Sequence, residues 1–155
     1  MRRGIADIPR RVAVSLAANK RYLEALAVVD VPCPAATVLD PVSKPVIVKE
    51  RKFRPLRPVT PQESAVFSVV LRGEFKINGF RNKDVRLALL PQAQNSKQEL
   101  RRASAKISRT FALLRGHKII AKVPKTNAYR VTKKGNYLMN TALNLRKANL
   151  LKMAA

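Results

Sequence analysis

Carboxylates, histidine and cysteine are all scarce in this chain of 155 residues. It has nine Asp and Glu, one His and one Cys, against 32 Lys and Arg. General acid/base catalysis and metal binding depend mainly on carboxylate, imidazole and thiol groups, so few side chains are left for either. We therefore expect a protein that is not an enzyme and that binds neither a metal ion nor another cofactor.

Long apolar runs and disulfide partners are missing too. The single cysteine, Cys33, lies between two prolines and is interpreted as a packing or loop residue. No stretch approaches the ~18 to 20 apolar residues that span a bilayer. The Arg-containing start of the chain includes Asp7, Pro9 and Glu24, which argue against an organellar presequence. These absences favour a cytoplasmic protein without a membrane partner.

Aromatic residues are few and scattered, and tryptophan is absent. Proteins that read single strands stack bases on exposed rings, so this distribution counts against a single-strand binder. Positive charge, by contrast, is in large excess, with a formal net charge of +23. A chain this basic calls for a polyanionic partner, and its 46% of hydrophobic residues are enough to form a core. The composition favours nucleic acid as that partner.

The charge is concentrated towards the end of the chain. Residues 1–99 hold 18 basic and nine acidic side chains, whereas residues 100–155 hold 14 basic and no acidic side chain. Ordinary solvated surfaces mix charges of both signs. The imbalance therefore points to a binding surface formed by residues after Glu99.

The first 58 residues are predicted to form a helical, Pro-rich N-terminal extension. A helix is predicted from about Pro9 to Val29. Prolines then interrupt the chain, and the β-branched and aromatic residues of 46–54 predict a small hairpin. The apolar residues at helical spacing in the first helix are Val12, Leu16, Leu23, Leu26 and Ala27. A boundary near Pro58 divides the chain into this extension, 1–58, and a C-terminal domain, 59–155.

The C-terminal domain opens with clear helix signals. Thr60 and Glu63 have the spacing of a capping box, which predicts a helix from Pro61 to near Gly73. A short segment leads to a second helix over about 82–90, with Asn82 as its N-cap and Pro91 as its stop.

The rest of the domain is predicted as a helix, a hairpin and a helix. Ser96 begins a second capping box, so a third helix should run from about 97 to 115, with Gly116 as its C-terminal stop. A β-hairpin is predicted over about 119–131 and a last helix over about 133–151.

Three helices, a hairpin and a final helix are the elements of a winged helix-turn-helix domain. The third helix ends in the pair Leu113-Leu114, a hydrophobic strand follows, and a Tyr-x-x-Thr-x-x-Gly segment begins at Tyr129. This pattern, over about 60–151, resembles that of the MarR-like and PadR-like winged-helix regulators. The resemblance implies a mainly α fold with a small β-hairpin wing, and double-stranded DNA as the partner.

The whole chain also resembles part of an uncharacterised bacterial protein family linked to mobile elements. The segments DIPRR at 7–11, RYLEAL at 21–26 and GFRN at 79–82 carry this resemblance. Some members of that family are longer at the N-terminus, so Met1 is expected to open a shortened version. The resemblance implies a bacterial DNA-binding protein and no particular reaction.

The third helix is the predicted recognition helix. Its apolar residues recur 3, 4, 4 and 3 positions apart and define a buried stripe of Leu100, Ala103, Ile107, Phe111 and Leu114. A winged helix places the opposite side in the major groove, where arginines bridge guanine edges or grip phosphates. The predicted contacts there are Arg101, Arg102, Ser104, Ala105, Lys106, Ser108 and Arg109. A merely solvated helix face is the alternative, but such faces normally carry both signs of charge.

The hairpin after the third helix is the predicted wing. Its contacts are expected from Lys122, Lys125, Thr126, Asn127 and Arg130, with Lys133 at the start of the last helix. Cations there meet phosphates, which adds affinity without reading the sequence, whereas a hairpin that merely lies on the surface is the alternative. His117 has no second histidine or cysteine at ligand spacing and is interpreted as structural or as a phosphate donor.

These features predict a double-stranded DNA-binding protein of the bacterial nucleoid, either a transcriptional regulator or an accessory protein of a mobile element. An RNA-binding structural protein of the ribosomal kind is a second hypothesis, because such proteins also combine winged helices, high charge and long tails. A recombinase or transposase fragment is a third, and its metal ions would need carboxylates from among Asp7, Asp30, Asp40 and Asp84. A symmetric homodimer, through the last or the first helix, is a further expectation.

Overall fold

The computed structural model describes residues 8–27, 34–94 and 96–147, and within them the chain is mainly helical with two antiparallel hairpins. The helices are α1, Ile8–Ala27; α2, Ala35–Leu39; α3, Pro61–Val70; α4, Gly73–Asn78; α5, Asn82–Leu89; α6, Lys97–Gly116; and α7, Lys133–Lys147. The strands are β1, Val46–Val48; β2, Arg51–Phe53; β3, Ile120–Lys122; and β4, Tyr129–Val131. A mainly α fold with a small β-hairpin is thereby confirmed.

One hydrophobic core lies between these helices. Its fully buried side chains include Phe67, Phe80, Phe111, Leu114, Leu138 and Met139. Each large apolar side chain buried in this way stabilises the fold by about 1.5 to 3 kcal/mol. Leu39, Val42 and Leu56 belong to the same core. Residues on both sides of Pro58 therefore share one core, and the division into two domains stays a prediction.

The β3–β4 hairpin is tied to the start of α5. Ile120 lies opposite Val131 in its register. Phe80 adds a bridge outside the two strands, because its N–H donates to the Tyr129 carbonyl at 2.9 Å and the Tyr129 N–H donates back at 2.8 Å. Gly79 allows this approach: its φ is 78°, and a Cβ there would stand 2.7 Å from the Tyr129 oxygen.

Aromatic rings fill the space where this hairpin meets the helices. The Phe111 ring of α6 lies 4.8 Å from the Tyr129 ring of β4 and 5.4 Å from the Phe80 ring, measured between centroids. Phe75 of α4 adds a fourth ring, 6.1 Å from Phe80. Tilted and edge-on pairs at these distances are favourable beyond the apolar area that they bury. Tyr129, the first residue of β4, thus fixes the hairpin to α6.

The capping box predicted at Thr60 is wrong, although α3 does begin at Pro61. The Thr60 hydroxyl donates to the Arg57 carbonyl at 2.8 Å instead of accepting from the helix. Glu63 is buried and accepts the Arg57 N–H at 2.8 Å and the Arg54 guanidinium at 2.9 Å. The Glu63 carboxylate, which the capping-box pattern assigns to the N-cap, therefore pairs with the charged Arg54 outside the helix.

At α5 and α6 one predicted cap is wrong and one is confirmed. Asn82 is the first residue of α5 rather than its cap, and the Arg81 N–H donates to Asp84 at 2.7 Å. Ser96 caps α6, because its hydroxyl accepts the Gln98 N–H at 3.3 Å. Residues 73–78 form α4, although the sequence pattern predicts no helix there.

Gly116 ends α6 as predicted, but not through a left-handed turn of its own. It is buried under the Phe53 ring of β2, and a Cβ at this position would stand 2.7 Å from two ring carbons. Lys118 takes the left-handed conformation instead, with φ 60°. The glycine is needed for close packing of the first hairpin on α6.

The two terminal helices differ in how they are covered. α7 packs against α2 and α3, with Leu138, Met139 and Ala142 buried. α1 packs against α4, yet Val12, Leu16 and Leu23 stay 50–63% exposed. The side chains of Leu26 and Ala27 and the predicted helix ends at 28–29 and 148–151 lie outside the described residues. Among the described helices, none is long and apolar enough to cross a membrane.

Candidate nucleic-acid interface

α6 has one buried and one exposed side. Ala103, Ile107, Phe111 and Leu114 are buried and Leu100 is half-buried, which confirms the predicted stripe. The exposed residues of α6 include six of the seven predicted contacts: Arg101, Arg102, Ala105, Lys106, Ser108 and Arg109. Within the described part of the chain, none of these four cations has a salt-bridge partner. α6 therefore offers solvent an exposed cationic face that is not neutralised.

Asn82 fixes the start of α5 against α6. Its Nδ2 donates to the Ser104 carbonyl and to the Ser108 hydroxyl oxygen, both at 2.9 Å. The Ser104 hydroxyl donates back to Asn82 Oδ1 at 3.3 Å. The sequence pattern indicates only a capping role for Asn82, because nothing local reveals a partner 22 residues away.

This cross-link changes the roles predicted for the two serines. Ser104 is half-buried and its hydroxyl hydrogen is used by Asn82 in this arrangement, so it holds α5, and its phosphate contact stays a prediction. Ser108 is exposed and accepts from Asn82, which leaves its own hydroxyl hydrogen free to donate. Of the two, Ser108 is the one that keeps a hydrogen for an anion.

The tip of the β3–β4 hairpin presents its polar residues to solvent. Lys122, Lys125, Thr126 and Asn127 are all exposed. Thr126 shapes the turn, since its hydroxyl donates to the Val123 carbonyl at 3.0 Å and accepts the Ala128 N–H at 3.1 Å. A turn with its own hydrogen bonds therefore holds the cations at this tip, and the Thr126 hydroxyl is used within that turn.

Arg130 does not lie with the cations of the tip. It is half-buried, its side chain passes Gly79, and its Nε is buried without a partner among the described residues. Loss of water, and then the neighbouring charge of Arg130, lower the pKa of Arg21 on α1. Arg130 is thus directed towards α1 and α4, on the face of the hairpin opposite Tyr129.

The Tyr-x-x-Thr-x-x-Gly segment holds the hairpin and α7 together. Thr132 caps α7 by accepting the Gly135 N–H at 3.0 Å, while its hydroxyl donates to the carbonyls of Lys118 and Ile119. Gly135 lies directly on the Ile119 carbonyl, where a Cβ would stand 2.0 Å from the oxygen. These residues support the site, and the exposed Lys133 follows the cap.

The β1–β2 hairpin packs on another part of α6, a contact that the sequence pattern does not predict. A groove of about 330 Å³ separates the two. Its lining includes five cations and, among the described residues, no carboxylate; the cations are Arg51, Lys52, Arg54, Lys106 and Arg109. The sequence shows that both segments lining the groove are basic. Their contact, however, depends on packing between residues more than 50 positions apart.

His117 is structural. Its imidazole is buried, and Nε2 lies 2.9 Å from the Arg54 carbonyl. A carbonyl only accepts, so Nε2 carries the hydrogen in this bond. The alternative of a phosphate donor is wrong, because that hydrogen is used inside the protein to hold the end of β2.

The carboxylates that a recombinase would need do not form a cluster in the described residues. No group of three His, Cys, Asp or Glu residues there could hold a metal ion. Asp84 accepts from the backbone at the start of α5, and Asp40 begins a 3₁₀ turn after α2. Asp7, Asp30 and Cys33 lie outside the described residues.

Neither models of known protein families, nor curated proteins, nor solved structures match this chain. Its function has to be inferred from its own residues and their geometry.

Proposed function

We propose that this protein binds double-stranded DNA as a winged helix, with α6 in the major groove and the β3–β4 hairpin as the wing. The single observation that carries the proposal is the exposed face of α6, where Arg101, Arg102, Lys106 and Arg109 stand without salt-bridge partners in the described residues. Uncompensated cations repel one another, and a polyanion relieves that repulsion.

The geometry around α6 suits a duplex. The major groove of B-DNA is about 12 Å wide and admits an α-helix. Ala105, exposed between the cations, has a small side chain that permits close approach. Arginines reach guanine edges bidentately, and the lysines at the wing tip meet phosphates. Asn82 and Phe80 hold α5 and the wing in fixed positions relative to α6.

The distribution of aromatic rings favours a duplex over a single strand. In the described part of the chain, Tyr22 is the exposed aromatic residue, and it lies on α1, which packs against α4. The rings of Phe75, Phe80, Phe111 and Tyr129 pack against one another instead. Double-stranded RNA is the weaker alternative, because side chains cannot read its deep and narrow major groove.

The proposed role is that of a transcriptional regulator or a mobile-element accessory protein at the bacterial nucleoid. Both roles require duplex binding and no reaction from this chain.

The double variant Arg102→Ala with Arg109→Ala tests the interface. We expect its duplex affinity to fall by about 30-fold or more, because good arginine contacts contribute about 1 to 3 kcal/mol each and the variant removes two of them. Arg10→Ala with Arg11→Ala is the matched control, since it removes two exposed helical arginines from α1. Titration of full-length protein into labelled duplex, with circular dichroism of each variant, gives the comparison.

Salt dependence and competition complete this test. A footprint of ~6 to 8 phosphates predicts a loss of about three to four decades of affinity between 50 and 200 mM salt. Unchanged affinity of the α6 variant would remove α6 from the interface. Preference for structured RNA over duplex DNA would support the RNA hypothesis, and metal-dependent nicking would support a recombinase.

The homodimer stays a prediction, and the exposed side chains of α1 favour that helix as its contact. α7 covers its own domain, whereas the exposed Val12, Leu16 and Leu23 of α1 follow a spacing compatible with a coiled-coil seam, with Asn19 between them. Sedimentation equilibrium of the free protein measures whether two copies associate.

A further inference from the structure

The β1–β2 hairpin is held rigidly against α6. The Phe53 ring lies on Gly116, and the end of β2 is bonded to His117 through the Arg54 carbonyl. Its two strands are joined by Lys49 and Glu50, whose φ values of 48° and 64° are both in the left-handed region. Such a tight turn matches the twist of the strands. The cations of β2 therefore stand at fixed positions beside α6.

The hairpin faces the side of α6 that points away from the wing. Phe111 packs on Tyr129 of the wing, while Arg109, two residues earlier, lines the groove with the hairpin. Two residues along an α-helix are about 160° apart around its axis, because each residue turns it by about 100°. Because Lys106 and Arg109 belong to the exposed face of α6, the hairpin borders that face on the side away from the wing.

The cations that line the groove differ in their contacts within the protein. Arg54 is held by Glu63 at 2.9 Å and donates to the Pro55 carbonyl, so it serves the base of the hairpin. The Arg51 guanidinium lies over the Phe53 ring, 5.6 Å from its centroid, which leaves its N–H edges available. Lys52 is exposed. Glu50 is the hairpin's one carboxylate and stands at the turn, outside the groove lining.

We infer that the β1–β2 hairpin is a second phosphate-binding element, which grips the backbone of the duplex on the side of α6 opposite the wing. Arg51 and Lys52 make these contacts, with Lys106 and Arg109 across the groove. The inference rests on the proposed function, because the duplex lies against the hairpin only when α6 is in its major groove. Phosphate contacts set position and affinity, so the hairpin strengthens binding without selecting a sequence.

The test is the full-length double variant Arg51→Ala with Lys52→Ala. Loss of two phosphate contacts should reduce the slope of log affinity against log salt by about 1.8 and weaken binding roughly 10- to 30-fold at 0.15 M salt. The charge-preserving variant Arg51→Lys with Lys52→Arg should keep the wild-type slope. Arg10→Ala with Arg11→Ala loses the same charge from α1 and should change the slope little.

Sequence selection separates the hairpin from α6. From a random pool of duplexes, the hairpin variant should select the same sequences as the wild type, whereas the Arg102→Ala, Arg109→Ala variant should lose that preference. Wild-type affinity and slope in the hairpin variant, with loss in the α6 variant, would overturn the inference and leave the proposed function intact. No duplex binding by the wild-type protein would overturn both.

Discussion

The two hairpins that flank α6 are anchored in different ways. The β3–β4 hairpin bridges to Phe80 and also has an anchor close in sequence, because Thr132 and Gly135 hold the backbone of Lys118 and Ile119. The β1–β2 hairpin depends on distant residues, since Phe53 and Arg54 meet Gly116 and His117 63 positions later.

The difference teaches where a sequence motif is informative. A segment that caps a helix and closes a hairpin keeps a fixed spacing, because its partners are a few residues away. Contacts between distant segments impose no spacing on the chain, so the first hairpin carries no comparable signature. The two hairpins also differ in where their exposed cations lie: Lys122 and Lys125 stand at the tip of the wing, whereas Arg51 and Lys52 lie in β2 beside α6.

Gly135→Ala should have the largest effect on this arrangement. The Cβ of an alanine there would lie 2.0 Å from the Ile119 carbonyl oxygen. Both atoms are fixed by the backbone, so neither can move as easily as a side chain. We expect a loss of about 3 kcal/mol or more in the free energy of unfolding, measured by urea denaturation. Gly73→Ala is the control, because nothing lies within 4 Å of a Cβ there. Equal stability of the two variants would contradict this account of the wing's anchor.

Gly116→Ala should have a smaller effect, confined to the first hairpin. Its Cβ would meet the Phe53 ring at 2.7 Å, but a half-buried side chain can move. We expect a loss of about 1 to 3 kcal/mol in the free energy of unfolding and faster trypsin cleavage after Arg51 and Lys52. Adding Phe53→Leu should recover part of the stability, and an additive double variant would show that the two residues are not coupled.

Thr132→Ala should cost least, about 1 kcal/mol in the free energy of unfolding, through loss of the α7 cap. Thr60→Ala is its partner variant, since Thr60 carries a capping-box pattern but donates only to the Arg57 carbonyl. We expect a change within about 0.5 kcal/mol for Thr60→Ala, with both variants measured by the same urea denaturation. The reverse order would mean that the capping box at Thr60 forms in solution.

Local signals predicted most of the helices and both hairpins. Pro61, Ser96 and the period of apolar residues in α6 act within one or two turns of the chain, so their effect is readable in sequence. Glu63 shows the limit, because it has the spacing of a cap yet pairs with Arg54 and Arg57. α4 was missed since its six residues are too few for a clear period.

The candidate site was predicted in part for the same reason. The split of α6 into a buried and a cationic side follows from its spacing alone. The use of Ser104 by Asn82 and the turn of Arg130 towards α1 depend on segments that are remote in the chain.

By itself, the sequence determined the helical segments, the turns and the concentration of positive charge after Glu99, because periodicity, breakers and charge are properties of neighbouring residues. Only the tertiary structure decided that Val12, Leu16 and Leu23 of α1 stay exposed and that the cations of β2 lie beside those of α6. Both depend on which surfaces bury the most apolar area together, and that choice is made by the whole chain.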